Sequence, residues 1–250
     1  MSEGIRIETA GGVAVMTFDR PDRRNAIDRQ TRAVIAEGLA GLDADDEVRV
    51  VVITGAGSAF CAGVDLKDTT APPGPAWRDE RLVAPFERFG KPLVAAVNGP
   101  AVGGGFEIAL ACEVRVASPR ATFSLPEVTI GSMPGSGGTQ RIFRALPSAV
   151  AWKTLLTGGA LDAASALRWG LVTDVFEEDL VPSAIALAAR IAVAAPLSLD
   201  AVKRAGSAAL EGAAGMELER VLWALLSTTE DRAEGRAAFR EKRPPEYRGR

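Results

Sequence analysis

The sequence predicts an α/β fold that ends in an all-helical region. Three observations carry this. Residues 48–54 form a β-branched run and 93–97 an unbroken apolar run, the composition of strands buried on both faces. Strand-like and helix-like segments alternate over about the first 175 residues, the signature of α/β architecture. From Pro182 onward the pattern is helical, broken near Pro196, Gly212 and Gly215. The domain reading is a core over 1–195 and a helical region over 196–250.

The elements follow in order. Residues 5–18 read as a hairpin: Ile5 and Ile7 alternate with polar residues, Gly11-Gly12 turns, and Val13, Val15 and Thr17 return. A charged turn around Pro21 leads to Asp28, a cap for a helix to about Leu42, with Val34, Ile35, Leu39 and Leu42 at helical spacing. A loop over 55–63 follows the first buried strand, and Asp65 is placed to cap a short helix. The prolines and glycine of 69–75 predict a surface loop, and 77–89 a helix. A helix over 103–111 is entered through glycines. Strands are expected at 114–117 and 172–176, with an extended piece at 121–124. A glycine-rich loop spans 131–138, with helices from about Thr139 to Gly158. Leu161 reads as a hydrophobic staple for a helix over 162–169. The tail from Pro244 reads as frayed.

Composition narrows the function. The chain has 250 residues, ample for a buried core without disulfide or metal staples. Its net charge of −3 argues against nucleic acid as a partner. The start lacks a signal-peptide pattern and no run approaches the ~18 apolar residues of a membrane helix, so a cytoplasmic location without a membrane partner is expected. Two cysteines, Cys61 and Cys112, fit a reducing compartment, each as a small hydrophobe. Histidine is absent. That removes Ser-His-Asp and Cys-His systems and histidine-ligated metals, and no metal site is expected. Proton transfer then falls chiefly to carboxylates.

Two strand-to-helix junctions stand out, VVVITGAGSAFCAGVDLKD at 50–68 and KPLVAAVNGPAVGGGFEIALAC at 91–112. First-turn amides lack intrahelical partners, and the helix dipole adds positive character there. One amide from each junction can converge on a single oxygen, an oxyanion hole for a thioester carbonyl. Neither segment completes a dinucleotide fingerprint, and 131–139 lacks the lysine of a phosphate loop.

Together with ATFSLPEVTIGSMPGSGGTQRIFR at 121–144, FDRPDRRNAI at 18–27 and EDRAEGRAAFREKR at 230–243, these segments resemble the enoyl-CoA hydratase/isomerase (crotonase) superfamily over nearly the whole chain. The resemblance implies a crotonase-like spiral of ββα units, with 196–250 as a trimerisation region. It implies oxyanion-hole amides from Val64 and Gly104, an acid–base pair of Glu107 and Glu127, and a water-positioning amide at Gly135. Glu107 is assigned chiefly to water activation and Glu127 chiefly to protonation of the α-carbon. It further implies a substrate site lined by Ala62, Val64, Asp65, Leu66, Lys67 and Gly104, with Phe239 and Lys242 reaching the CoA moiety. Lys67, Arg24, Arg240, Lys242 and Arg243 are candidates to meet its phosphates.

The expected reaction is reversible hydration of a 2-enoyl-CoA, with CoA as part of the substrate and no separate cofactor. The alternatives are Δ3,Δ2-enoyl-CoA isomerisation through Glu127 and a non-catalytic acyl-CoA-binding subunit. A homotrimer, or a hexamer formed as a dimer of trimers, is the implied assembly.

Overall fold

A computed structural model describes residues 4–68, 81–211, 221, 224–226 and 228–250. The chain opens as the expected hairpin: β1 (Ile5–Ala10) and β2 (Val13–Phe18) pair antiparallel. Gly11 and Gly12 both have positive φ, as the tight turn requires. Asp28 caps α1 (Arg29–Ala44) by accepting from the Thr31 amide at 2.8 Å. β3 (Val50–Gly55) then pairs parallel to β2. α2 (Ala84–Arg88) precedes β4 (Leu93–Val97), and β5 (Pro100–Val102) leads into α3 (Gly104–Ala111).

Next come β6 (Val114–Ala117), β7 (Thr122–Ser124) and a 3-10 turn at Pro126–Ile130. α4 (Gly138–Ala145) and α5 (Ser148–Thr157) follow. β8 (Leu161–Asp162), α6 (Ala163–Arg168) and β9 (Asp174–Val175) lead to α7 (Leu180–Ala192) and α8 (Pro196–Glu211). The final helix spans Glu230–Glu241.

Six strands form one sheet in the order β1-β2-β3-β4-β6-β9, parallel except at the hairpin. A smaller sheet runs β5-β7-β8. The large sheet explains the apolar runs. Val51, Ile53, Ala95 and Val97 belong to one core cluster with Phe18, Phe60 and Phe106. Their neighbours Val50, Val52, Val94 and Ala96 belong to a second, with Leu180, Ala184 and Ala188 of α7. Period-two side chains thus feed two hydrophobic layers, and the polar Thr54 at the end of β3 is buried with its hydroxyl donating to the Ala96 carbonyl at 2.9 Å.

The structure corrects several local expectations. Asp65 caps no helix; its Oδ1 accepts from the Lys67 amide at 3.0 Å and closes a turn. Only Ala84–Arg88 of the segment 77–89 is helical among the described residues, and 77–80 lie outside them, as do 69–75 and both Gly212 and Gly215. Leu161, just before the Asp162 cap, also pairs with Phe123 as an edge strand. The expected strand over 172–176 shortens to Asp174–Val175, because Leu171 and Val172 already turn back on Ala166. The tail is not frayed. The buried carboxylate of Asp231 accepts from the Arg248 and Gly249 amides at 2.7 and 2.9 Å, and Glu234 accepts from Arg243 and from the Glu246 amide. Among the described residues no single helix is long and apolar enough to cross a membrane.

The loop 55–63 has little secondary structure and is held by side-chain amides. Asn25 is buried, with φ of 57°, a conformation that asparagine tolerates better than most residues. Its Nδ2 donates to the carbonyls of Ala56 and Ala59 at 2.9 and 2.8 Å, and its Oδ1 accepts from the Arg20 amide. Asn98 grips the same loop from β4, donating to Gly57 and accepting from the Gly55 amide. Truncating Asn25 takes a partner from the Arg20 amide and from the Ala56 carbonyl, at about 1–3 kcal/mol each, while the Ala59 carbonyl keeps Asn98. Asn25→Ala is expected to lower stability by about 3 kcal/mol, measured as a lower urea midpoint at unchanged slope.

Candidate active site

Two backbone segments about forty residues apart in sequence meet at one point. Cys61 bridges to Ala101: the Cys61 amide donates to Pro100 and its carbonyl accepts from Val102 at 2.9 Å. Contact is close enough that only glycine fits. A Cβ at Gly105 would lie 2.2 Å from the Cys61 carbonyl oxygen, and one at Gly63 would lie 2.6 Å from that of Val102. Gly63 also has φ of 84°. The same contact sets Gly63 beside the Gly104 amide nitrogen, 3.1 Å from where that Cβ would be.

Val64 and Gly104 therefore adjoin. Ile27 donates to the Gly63 carbonyl and accepts from the Asp65 amide, at 2.8 and 2.9 Å. In that parallel bridge the N–H of Val64 itself points away from Ile27. Gly104 opens α3 behind Gly103, so its N–H belongs to the first turn and lacks an intrahelical acceptor. Both amides come from rigidly held backbone, and Val64 is exposed.

The two glutamates sit in different surroundings. Glu107, in the first turn of α3, is buried, and its Oε1 accepts from the Ser136 and Gly138 amides at 2.7 and 2.8 Å. Glu127 enters from the 3-10 turn after β7 and lies against Gly103, where a Cβ would sit 3.1 Å from its Oε1. Its Oε2 is buried and has no hydrogen-bond partner among the described residues. Burial pushes the Glu127 carboxyl above the usual carboxylate range, and the negative charge of Glu107 adds to the rise. The pair is thus close enough to interact.

Other expected residues are placed as follows. Ala62 donates to the Arg24 carbonyl, and Leu66 and Lys67 are exposed on the turn closed by Asp65. Gly135 is exposed; the amides that hold Glu107 are those of Ser136 and Gly138. Lys242 is exposed, with φ of 56°, just past the final helix. The Phe239 side chain lies outside the described residues. Arg243 is committed to Glu234 and Glu241. Both cysteines are free and buried, and burial pushes each thiol up to about 12, so neither is a thiolate at neutral pH.

Sequence reasoning missed three contributors. Asn25 clamps the loop that carries Val64. Ser136 anchors Glu107 through its amide, while its Oγ accepts from the Leu82 amide at 3.1 Å. Gly138 supplies the second amide, and a Cβ there would crowd Glu107 Oε1 at 3.0 Å. The glycine content of 131–138 marks the loop, yet nothing in it specifies which amides turn inward.

Comparison with known proteins bears on this arrangement. The chain belongs to the enoyl-CoA hydratase/isomerase family, whose model matches residues 8–250. It is 44% identical to (E)-benzylidenesuccinyl-CoA hydratase of Thauera aromatica, across 98% of this chain and 99% of that one. It is 42% identical to 2,3-dehydroadipyl-CoA hydratase of Escherichia coli K12, across 95% and 96%. The crystal structure of enoyl-CoA hydratase from Mycobacterium tuberculosis H37Rv superposes with a TM-score of 0.92 at 34% identity, covering 99% of each chain. The fold is therefore the crotonase type that the sequence motifs indicate. The family acts on acyl-CoA thioesters.

The Glu127 environment has a consequence for stability. A raised carboxyl pKa means that the folded chain binds this proton more tightly than the unfolded chain. Stability is therefore lost as pH rises from the ordinary glutamate value through the raised folded value. Glu127→Gln removes that dependence. Its melting temperature is expected to gain on the wild type as pH rises above the ordinary glutamate value of about 4.3. A calorimetric pH series checks this.

Proposed function

We propose that this chain catalyses reversible addition of water to a 2-enoyl-CoA thioester, giving a 3-hydroxyacyl-CoA. One observation carries the reading. Two interacting carboxyl groups flank one helix entrance, one pinned by backbone amides and the other buried with an unpartnered oxygen.

The thioester carbonyl oxygen takes the Val64 and Gly104 amides, which stabilise the negative charge that grows there as water adds. Oε1 of Glu107 is committed to Ser136 and Gly138, so Oε2 accepts the proton of the attacking water. The C–O bond forms at the β-carbon. Glu127, favoured as the protonated acid, delivers its proton to the α-carbon. A proton relay from Glu107 back to Glu127 restores the starting state, so the net change is one water added.

The site asks for no cofactor beyond the CoA of the substrate. Ala62, Asp65, Leu66 and Lys67 would line the thioester approach, with Phe239 and Lys242 toward the CoA moiety and Gly135 beside the water. A trimer, or a hexamer formed from two trimers, fits the exposed Ile130, Met133, Trp152 and Leu156. The names of the two relatives make benzylidenesuccinyl and 2,3-dehydroadipyl thioesters natural substrates to assay beside crotonyl-CoA.

Hydration of crotonyl-CoA, followed as loss of conjugated-thioester absorbance, is expected from the wild type. Glu107→Gln and Glu127→Gln should each lower kcat by about 10²–10⁴. Turnover of a 3-enoyl thioester that survives Glu107→Gln would replace hydration with isomerisation. Binding without turnover on any enoyl chain length would leave an acyl-CoA-binding subunit.

A further inference from the structure

The loop that holds Glu107 has a soft centre. Gly137 caps α4 without a side-chain bond and has φ of 96°. The amides on either side of it, Ser136 and Gly138, converge on Glu107 Oε1. Amides grouped about a left-handed residue make an anion-binding concavity of this kind. Glycine at the centre permits that shape without enforcing it, because glycine takes either sign of φ about as readily. Turning over the 136–137 peptide would reverse the Ser136 carbonyl and disturb both flanking amides. Something outside the loop must therefore hold that peptide.

One guanidinium does so. Arg141 of α4 folds back over Gly137, where a Cβ would lie 2.0 Å from Arg141 Nη1. Nη1 donates to the Ser136 carbonyl at 3.2 Å, and the main-chain amide of Arg141 donates to the Gly137 carbonyl at 2.9 Å. The loop is thus gripped on both sides: Arg141 takes the carbonyls of 136 and 137, and Glu107 takes the amides of 136 and 138. The other arm of the fork, Nη2, donates to Glu87 of α2. These two side chains are only 22% and 23% exposed, so salt screens the pair less than it would a surface pair. Glu87 is steadied in turn by Arg81, through two bonds of 3.0 and 2.6 Å.

We propose that Arg141 is a positioning residue for Glu107, and that its ion pair with Glu87 fixes the direction in which the 136 and 138 amides face. Arg141 acts through Glu107, by keeping Oε1 occupied so that Oε2 is the oxygen offered to water. This rests on the hydratase reading and adds a support to its base. Losing the support disorders water activation and leaves the CoA contacts alone, so the effect falls on kcat. A planar fork is required, since one cation must span a carbonyl and a carboxylate.

The test is crotonyl-CoA hydration by variants of this pair. Arg141→Ala should lower kcat by about 10–100-fold with KM within about twofold, the cost of a small misplacement at a reacting group. Ethylguanidinium should restore its kcat saturably, whereas ethylammonium at equal ionic strength should not. On a Glu107→Gln background, Arg141→Ala should lower kcat by less than about threefold, because residues that act as one unit are not additive. Arg144→Ala removes an equal charge from an exposed position on the same helix and should keep the wild-type kcat. Glu87→Gln keeps Arg141 but frees it, and should give a smaller loss in kcat at unchanged KM. It carries the test alone if Arg141→Ala melts below the assay temperature. Wild-type kcat in Glu87→Gln or in folded Arg141→Ala overturns the proposal and leaves the hydratase reading intact. So does a loss that falls chiefly on KM, that both cations or neither restore, that multiplies in full on Glu107→Gln, or that Arg144→Ala shares. A wild type that hydrates no enoyl thioester would remove the hydratase reading, and this proposal with it.

Discussion

Everything at this site depends on one backbone contact, the bridge between Cys61 and Ala101. It joins a loop that follows β3 to a strand that precedes α3, and it sets Gly63 against the Gly104 amide. The contact is backbone on backbone, so there is no side chain to yield. A Cβ at Gly105 or Gly63 would fall inside the contact distance of a carbonyl oxygen. Asn25 and Asn98 brace the loop together: both donate to the Ala59 carbonyl, and each holds a further one, Ala56 by Asn25 and Gly57 by Asn98. Two amide donors can be fixed to a fraction of an ångström only where their supports are this rigid, and preorganised donors are what stabilise a developing oxyanion.

The second constraint is electrostatic. Glu107 and Glu127 interact, and two adjacent carboxylates resist simultaneous ionisation. The fold resolves this by giving them unequal surroundings. Two amides from the 131–138 segment solvate Glu107 in place of water. Glu127 has a buried oxygen without a hydrogen-bond partner among the described residues. Burial makes the Glu127 carboxyl hold its proton more tightly than an ordinary glutamate does.

The legible parts of the sequence were those with a local physical cause. The run at 50–54 had to be buried on both faces, and Asp28 had to cap α1, because periodicity and capping act within a few residues. The entry to α3 through glycine, and Glu107 in its first turn, were equally local. Motif resemblance brought Glu127, Val64 and Gly104 into one frame, which composition and periodicity alone do not do. The illegible parts depend on contacts distant in sequence. Asp65 looked like a helix cap, but the bridge to Ile27 holds its segment extended. Nothing local announces that Leu161 also pairs with β7 as an edge strand. The tail from Pro244 carries every mark of fraying except that Asp231 and Glu234 collect its amides. Ser136 and Gly138 could not be singled out, since any amide of a glycine-rich loop can turn inward.

The absence of histidine gives these elements a common logic. Without a side chain that titrates near neutrality, an acid and a base must both be made from the same chemical group. Only environment can distinguish them: the Ser136 and Gly138 amides reach Glu107, whereas burial raises the Glu127 carboxyl despite a backbone hydrogen bond that lowers it. Glycine serves that end twice, by letting the 138 amide approach Glu107 and by letting Glu127 lie on Gly103. A side chain at either glycine would displace a carboxyl without removing it. The identity of the two glutamates is therefore less informative than the shape of the chain around them, because that shape decides which one holds a proton.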